Sequence, residues 1–248
     1  MTKVIAVSGK GGVGKTLVSA LLIRHMVNAG VRNILAIDAD PDENLASALG
    51  AGFDKTVGDI REGLLNVTLP PGVEKMKYLD SKVFEITVEA GDFDLLVMGR
   101  PEGPGCYCAV NHMLREIIDN AAKSYDYVVI DTEAGLEHLS RRTTQNVDVM
   151  LVVTDASRKG FETASRIKDL AGEVGIGFEQ VYLILNRVRK EDRGAMKKMA
   201  DSVNLEIIGE IPEDGYVRRY DLEGKALFDL PEESGAYAAA GEMIDKII

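Results

Sequence analysis

The chain has 248 residues and a formal net charge of −11, with 46% hydrophobic and 28% charged residues. That length allows one large α/β domain or two small ones, and the composition is ordinary for a globular protein with a full core. The acidic balance argues against broad binding to nucleic acids or anionic membranes, which need basic surfaces. The apolar run after Met1 is too short for a signal peptide or a membrane span, so we expect a cytoplasmic protein.

Short apolar runs alternate with helical patterns along the chain. Strands are predicted at 3–8, 33–38, 94–98, 126–131, 149–154 and 181–186. Helices are predicted near 15–30, 108–123, 137–146, 157–174, 190–202 and 235–247. The strands are apolar on both faces, which is typical of parallel strands covered by helices on both sides. The order predicts a single α/β domain over 1–248, with a doubly wound, mostly parallel sheet and ligands at the carboxyl ends of its strands. The region 50–92 has mixed periodicity.

The most specific motif follows the first predicted strand. Residues 9–16 read Gly-Lys-Gly-Gly-Val-Gly-Lys-Thr and fit the P-loop pattern G-x-x-x-x-G-K-[ST]. In such a loop, backbone N–H groups surround phosphate oxygens, the lysine reaches the β and γ phosphates, and the hydroxyl binds Mg²⁺. The positive end of the following helix adds to the attraction. We therefore predict that ATP or ADP with Mg²⁺ contacts Gly9, Gly11, Gly12, Val13, Gly14, Lys15 and Thr16.

The same loop also fits the dinucleotide-binding pattern G-x-G-x-x-G, through Gly9, Gly11 and Gly14. Asp38 ends the next predicted strand, about where a ribose-binding acid would lie. The Lys-Thr pair at the end of the loop favours a triphosphate instead, because a dinucleotide needs neither a lysine nor a hydroxyl at the helix start.

Lys10 is a second lysine inside this loop. With it, residues 10–16 resemble the loop K-G-G-x-G-K-[ST] of the deviant Walker A, MinD/ParA-like P-loop ATPases. That family includes septum-site, chromosome-partitioning, nitrogenase-iron and arsenite-pump ATPases. Its extra lysine crosses a dimer interface to the partner's nucleotide, so the resemblance implies a homodimer in which Lys10 and Lys15 are catalytic.

Acidic residues follow two predicted strands, at the same edge of the sheet as the loop. Asp38 and Asp40 close the second strand, and Asp131 closes a later one. Mg²⁺ prefers carboxylates and waters, and a hydrolytic water needs an orienting acceptor. The resemblance implies that Asp40 orients or activates the water, that Asp38 is the acid beside it, and that Asp131 is the Walker B acid near Mg²⁺. Asn44 is a further candidate.

Asn186 ends the last predicted strand. In the family an asparagine at this place contacts the adenine, and a segment like 211–214, Ile-Pro-Glu-Asp, lines the base pocket. The resemblance thus implies that Asn186, Ile211 and Pro212 bind the base. An asparagine at a strand end is also a common turn former, so residue type alone leaves both interpretations open.

The two cysteines of the chain, Cys106 and Cys108, follow a loop rich in proline and glycine and precede a predicted helix. Thiols at a helix N-terminus ionise readily, and thiolates bind Zn²⁺, Ni²⁺, Cu⁺ or iron–sulfur clusters. A closed zinc site needs four ligands. His112 could add a third, and a two-fold dimer would supply four thiolates from two chains. Two neighbouring cysteines can also be plain small apolar residues. His25 and His138 are expected to be structural or surface residues.

The residues around the cysteines extend the resemblance. Arg-Pro-Glu-Gly at 100–103 and Asp-Thr-Glu-Ala-Gly-Leu-Glu-His at 131–138 are similar to the CooC-type nickel-insertion ATPases of carbon monoxide dehydrogenase and acetyl-CoA synthase maturation. This implies a dimer that binds Ni²⁺ or Zn²⁺ through both cysteine pairs and serves one of those client metalloenzymes. The alternative is a dimeric ATP-gated switch that positions a protein partner, with a structural zinc site. No nucleic-acid partner is expected because the net charge is −11, and no membrane partner is expected because the C-terminal residues carry little positive charge.

Overall fold

The computed structural model describes residues 2–65, 75–100, 116–117, 120, 123–133, 147–173 and 180–248. Its strands are β1 Lys3–Gly9, β2 Ile34–Ala39, β3 Val88–Glu89, β4 Asp94–Val97, β5 Tyr127–Thr132, β6 Val149–Thr154, β7 Gln180–Val188 and β8 Glu206–Pro212. Its helices are α1 Lys15–Asn28, α2 Asn44–Leu49, α3 Val57–Leu65, α4 Lys75–Ile86, α5 Arg158–Glu173, α6 Arg193–Val203, α7 Gly215–Glu223 and α8 Gly235–Ile244, with a 3₁₀ turn at Leu227–Asp229.

The strands form one sheet in the order β3-β4-β2-β5-β1-β6-β7-β8. Every neighbouring pair is parallel except β3 and β4. Alternate residues of β1 face opposite helical layers. Ile5 and Val7 pack with α1, α2 and α8, whereas Val4 and Ala6 pack with α3, α5 and α6. Both faces are covered, which explains why the central strands are continuous apolar runs. The predicted fold class is confirmed.

The six predicted strands correspond to β1, β2, β4, β5, β6 and β7, with ends that differ by at most two residues. The helices α1, α5, α6 and α8 are likewise confirmed. The predicted helix at 137–146 and most of the one at 108–123 lie outside the described residues. The prediction missed β8, because this edge strand is only partly buried and glutamates and a glycine interrupt its apolar residues. It also gave no elements for 50–92, which holds α3, α4 and β3.

No helix in the described part of the chain is both long and apolar enough to cross a membrane.

Candidate functional site

The loop at residues 9–16 joins β1 to α1 at the carboxyl edge of the sheet, and close contacts require glycine at two of its positions. A Cβ on Gly9 would lie 2.3 Å from the carbonyl oxygen of Val153, and one on Gly14 would lie 2.2 Å from Nδ2 of Asn186. Gly14 also has a left-handed backbone, with φ 98°. The glycine spacing of the motif is therefore a packing requirement of this structure as well as a phosphate-binding pattern.

The loop opens onto a cavity of about 840 Å³. This volume lies within the range of roughly 300–1,000 Å³ that is usual for small-molecule sites. Its lining comes from the glycine loop, the segment after β2, and the ends of several other elements. The lining residues are Gly11, Gly12, Gly14, Lys15, Thr16, Asp40, Pro41, Asp42, Asn44, Ser47, Ala48, Arg61, Arg100, Glu133, Arg187, Asp221, Gly224, Lys225 and Leu227. The structure thus brings the predicted phosphate loop and Asp40 together around one space that can hold a nucleotide.

Two hydroxyl groups at the start of α1 hold the carboxylate of Asp131. Thr16 Oγ1 donates to Asp131 Oδ2 at 2.7 Å, and Ser19 Oγ donates to Asp131 Oδ1 at 3.1 Å. Lys15 is only 6% exposed and opens the same helix. The sequence analysis did not identify Ser19. Its signal is the three-residue spacing from Thr16, which places both hydroxyls on the helix face toward β5.

Asp38 and Asp131 are direct partners in the pairing of β2 with β5, and both are fully buried. Burial, followed by the charge of Asp131, raises the pKa of Asp38 to about 7, although backbone N–H groups of Leu45 and Asp40 donate to it. Burial also raises the pKa of Asp131 to about 6, against the opposing effects of the Thr16 hydroxyl and the Lys15 ammonium group. Two adjacent buried carboxylates are costly to ionise together, and a bound cation would favour their charged forms.

The segment after β2 is held by its own turns and by Arg100, three residues after the end of β4. Asp40 Oδ1 accepts from the Asp42 N–H at 3.0 Å. Arg100 donates from Nη2 to Asp42 Oδ1 at 2.9 Å and from Nε to the Pro41 carbonyl at 3.3 Å. Arg61, on α3, lines the same end of the cavity. Sequence reasoning missed both arginines, because only the fold brings them to Asp40.

The other end of the cavity lies beside β7. Asn186 is 1% exposed, and its Nδ2 donates to the Val13 carbonyl at 2.7 Å while its Oδ1 accepts from the Arg187 N–H at 2.9 Å. Arg187 has a left-handed backbone, with φ 54°, and lines the cavity. Ile211 is buried in the core, and Pro212 pairs with Val188 at the end of β8. The C-terminal part of the chain adds Asp221, Gly224, Lys225 and Leu227 to the cavity lining.

Cys106, Cys108, His112 and His138 lie outside the described residues. Among the residues that the structure does describe, no group of three or more His, Cys, Asp or Glu side chains could hold a metal ion. The cysteine metal site therefore stays a prediction. His25 lies 2.7 Å from Asp245, between α1 and α8.

Comparison with known proteins identifies the family. Residues 4–228 match the CobQ/CobB/MinD/ParA nucleotide binding domain. The chain is 53% identical to an uncharacterized ATP-binding protein of Methanocaldococcus jannaschii, over 99% of this chain and 98% of that protein. It is 31% identical to the carbon monoxide dehydrogenase accessory protein CooC of Rhodospirillum rubrum, over 98% of this chain and 97% of that one.

Solved structures share the fold. The MinD cell division protein of Aquifex aeolicus has a TM-score of 0.73 at 24% identity, over 99% of this chain and 96% of that chain. The ParA family ATPase of Chlorobium tepidum has a TM-score of 0.77 at 20% identity, with both chains fully covered. The predicted resemblance to MinD/ParA-like ATPases is confirmed. The chain belongs to the CobQ/CobB/MinD/ParA nucleotide-binding family and is a P-loop ATPase.

Proposed function

We propose that the chain is a dimeric, Mg²⁺-dependent ATPase that couples ATP binding and hydrolysis to the insertion of nickel into carbon monoxide dehydrogenase or acetyl-CoA synthase in the cytoplasm. The observation that carries this proposal is its similarity to the accessory protein CooC over almost the full length of both chains. The cysteine pair at 106 and 108 supplies soft thiolate ligands that suit a nickel or zinc ion.

The geometry of the cavity supports a nucleotide site with defined roles. The N–H groups of the glycine loop surround the phosphates, with Lys15 on the β and γ phosphates. Thr16 binds Mg²⁺, which neutralises phosphate charge when it is bound. Asp131 orients the Thr16 hydroxyl through their 2.7 Å hydrogen bond. Asp40 faces the same cavity and orients the attacking water, while Asp38 holds the segment that carries Asp40.

The contacts of Lys10 are an argument in favour of the dimer. Its side chain makes no hydrogen bond or ion pair with any residue that the structure describes, although it lies in the phosphate loop. A lysine in that position is available to the nucleotide of a second copy. In a two-fold dimer the same arrangement would also bring two cysteine pairs together, giving four thiolates.

Arg100 supports a link between the nucleotide and the cysteines. It contacts Pro41 and Asp42, immediately after Asp40. It also precedes Cys106 by only six positions in the sequence. A shift of the Asp40 segment on hydrolysis would therefore pull on the start of the cysteine segment.

The test is metal analysis of the purified protein together with its mass in solution, with and without chelator. We expect one Ni²⁺ or Zn²⁺ per two chains, and loss of this metal when both cysteines are replaced by Ser, with ATP binding retained. The single variants Cys106→Ser and Cys108→Ser serve as intermediates, because each leaves two of four thiolates in a dimer. Full metal content in the double variant would refute the cysteine site.

The alternative is an ATP-gated switch that positions a protein partner, with a structural zinc ion. It is favoured by the 26% identity to the septum site-determining protein MinD of Buchnera aphidicola, over the whole of this chain. A switch holds its zinc through the ATPase cycle, whereas nickel delivery requires metal to leave. Transfer of ⁶³Ni to the client apoenzyme that depends on ATP hydrolysis supports delivery. Metal retained through many turnovers supports the switch.

A further inference from the structure

The side chain of Asn186 is engaged by the backbone of the phosphate loop. The carboxamide lies in the interior, and its Nδ2 donates to the Val13 carbonyl at 2.7 Å. The two residues are 173 positions apart, so this contact joins the end of β7 to the loop after β1. A Cβ at Gly14 would come within 2.2 Å of the same nitrogen. The carboxamide therefore occupies the space that the missing side chain of Gly14 leaves.

This contact fixes the direction of one phosphate donor. A trans peptide unit is planar, and its C=O and N–H point in opposite directions. With the Val13 carbonyl held toward Asn186, the N–H of Gly14 points the opposite way. Gly14 lines the cavity, and its N–H makes no hydrogen bond with the described residues. It is thus a free donor on the wall where the phosphates are placed.

The oxygen of the Asn186 carboxamide also makes a hydrogen bond. Asn186 Oδ1 accepts from the N–H of Arg187 at 2.9 Å. That hydrogen bond supports the left-handed backbone of Arg187, a conformation that residues with a side chain rarely adopt. Asn186 itself is not part of the cavity lining. Both ends of its carboxamide are therefore engaged by backbone groups.

We propose that Asn186 is a positioning residue for phosphate binding, which holds the Val13–Gly14 peptide so that the Gly14 N–H faces the phosphates. This inference rests on the proposed phosphate site at residues 9–16. It differs from the adenine contact that family resemblance implies, because it assigns the carboxamide to the triphosphate end of the ligand.

Inorganic tripolyphosphate separates the two roles, because it has phosphates and no base. We expect Asn186→Ala to weaken binding of Mg²⁺-tripolyphosphate and of Mg²⁺-ATP by the same factor, about tenfold, the equivalent of about 1.4 kcal/mol. The matched control is Asn28→Ala, which removes an asparagine hydrogen bond of the same 2.7 Å length, to Tyr237, at the far end of α1. The control should leave both affinities unchanged.

Unchanged tripolyphosphate affinity in Asn186→Ala, with weakened ATP binding, would overturn the inference and assign the carboxamide to the base. Lys15→Ala tests the underlying site separately. If Lys15→Ala binds tripolyphosphate normally, the phosphate site itself is wrong, whereas a loss there with no effect at Asn186 refutes only the positioning role.

A measurement on the unaltered protein covers the case in which Asn186→Ala does not fold. The side-chain amide protons of Asn186 should be protected from hydrogen exchange in the absence of nucleotide, because one of them is bonded to Val13. The exposed amide of Asn204, which makes no hydrogen bond with the described residues, provides the reference rate. Exchange of Asn186 at the rate of Asn204 would overturn the inference.

Discussion

Ser19 lies one turn after Thr16 on α1, and both hydroxyls donate to the carboxylate of Asp131. The Ser19 hydroxyl oxygen lies 3.1 Å from both Asp131 Oδ1 and the Lys15 carbonyl, so its one proton is shared between the carboxylate and the first turn of the helix. Residues that orient a metal ligand without contacting the metal commonly affect the metal affinity of the site. Ser19 contacts Asp131, and Asp131 in turn accepts a hydrogen bond from Thr16, the proposed Mg²⁺ ligand.

Ser19→Ala should therefore raise the Mg²⁺ concentration needed for half-maximal ATPase activity by roughly tenfold, because Asp131 loses one of its two hydroxyl donors. The measurement is steady-state ATP hydrolysis over a Mg²⁺ titration. Ser202→Ala is the matched control, because that exposed serine donates to the Met199 carbonyl within α6, outside the cavity. A Mg²⁺ dependence identical to that of the control would contradict this role.

The glycine loop could be predicted because its chemistry lies in eight consecutive residues. Arg61 and Arg100 could not be predicted, because only the fold brings these distant segments to the cavity. For Ser19, the spacing from Thr16 indicates the helix face, but its partner Asp131 is known only from the fold. Arg100 and Asp42 are 58 positions apart, and Ser19 and Asp131 are 112 apart. Neither pair follows from local spacing, and each needed the fold to bring it together.

At the scale of elements, one carboxylate joins the starts of two helices. Asp214 accepts from the N–H of Tyr216 at 2.6 Å, which caps α7. It also accepts from the Ser234 hydroxyl at 2.7 Å and the Ala236 N–H at 2.9 Å, at the start of α8. Partial burial raises the pKa of Asp214, but these three hydrogen bonds outweigh it and hold the pKa below the ordinary 3.8.

Asp214→Ala should lower the free energy of unfolding at pH 7 by about 1–2 kcal/mol, through loss of the cap and of the contact with α8. A lowered pKa means that the ionised form stabilises the folded state above the unfolded pKa. That contribution disappears as the pH falls through the folded pKa. Urea unfolding at a series of pH values should thus show the difference between wild type and variant shrinking below about pH 4.

Asp192→Ala is the control for this prediction, since Asp192 precedes α6 without any side-chain capping hydrogen bond. It should change the unfolding free energy by only a few tenths of a kcal/mol. If both variants lowered the free energy of unfolding equally, the hydrogen bonds of Asp214 would not be the source of its stabilising effect.

Two of the elements that were missed, β8 and α7, share a physical cause. Sequence periodicity detects strands and helices that bury a complete face, such as β1, β6 and α1. The edge strand β8 is largely half-exposed, and α7 has no buried residue at all. Their own apolar patterns are therefore weak, and contacts with neighbouring residues stabilise them instead. β8 pairs with β7, and Asp214 caps α7.

At the scale of the whole molecule, the charge of the cavity lining differs from that of the chain, whose net charge is −11. The acidic lining residues are Asp40, Asp42, Glu133 and Asp221, and the basic ones are Lys15, Arg61, Arg100, Arg187 and Lys225. The lining thus has a slight excess of positive charge in an acidic protein. Such local charge attracts an anionic ligand without making the surface basic overall.

Lys10 extends this site beyond one chain if the proposed dimer is correct. Each nucleotide would then contact Lys15 of its own chain and Lys10 of the other. Lys10→Ala should bind ATP but hydrolyse it at least a hundredfold more slowly, because a cation that stabilises the transferring phosphoryl group contributes about 10³–10⁵-fold to the rate. Lys55→Ala, an exposed lysine outside the cavity lining, should hydrolyse ATP at the wild-type rate.

Mixing two inactive variants distinguishes a lysine that acts in its own chain from one that acts across the interface. Lys15→Ala loses its own phosphate site but keeps Lys10, whereas Lys10→Ala keeps its phosphate site. A mixed dimer therefore contains one complete site, made of the Lys10→Ala nucleotide site and Lys10 from the Lys15→Ala chain. Random pairing of equal amounts should restore about a quarter of the wild-type rate per chain. A mixture as inactive as its components would show that Lys10 does not act in trans.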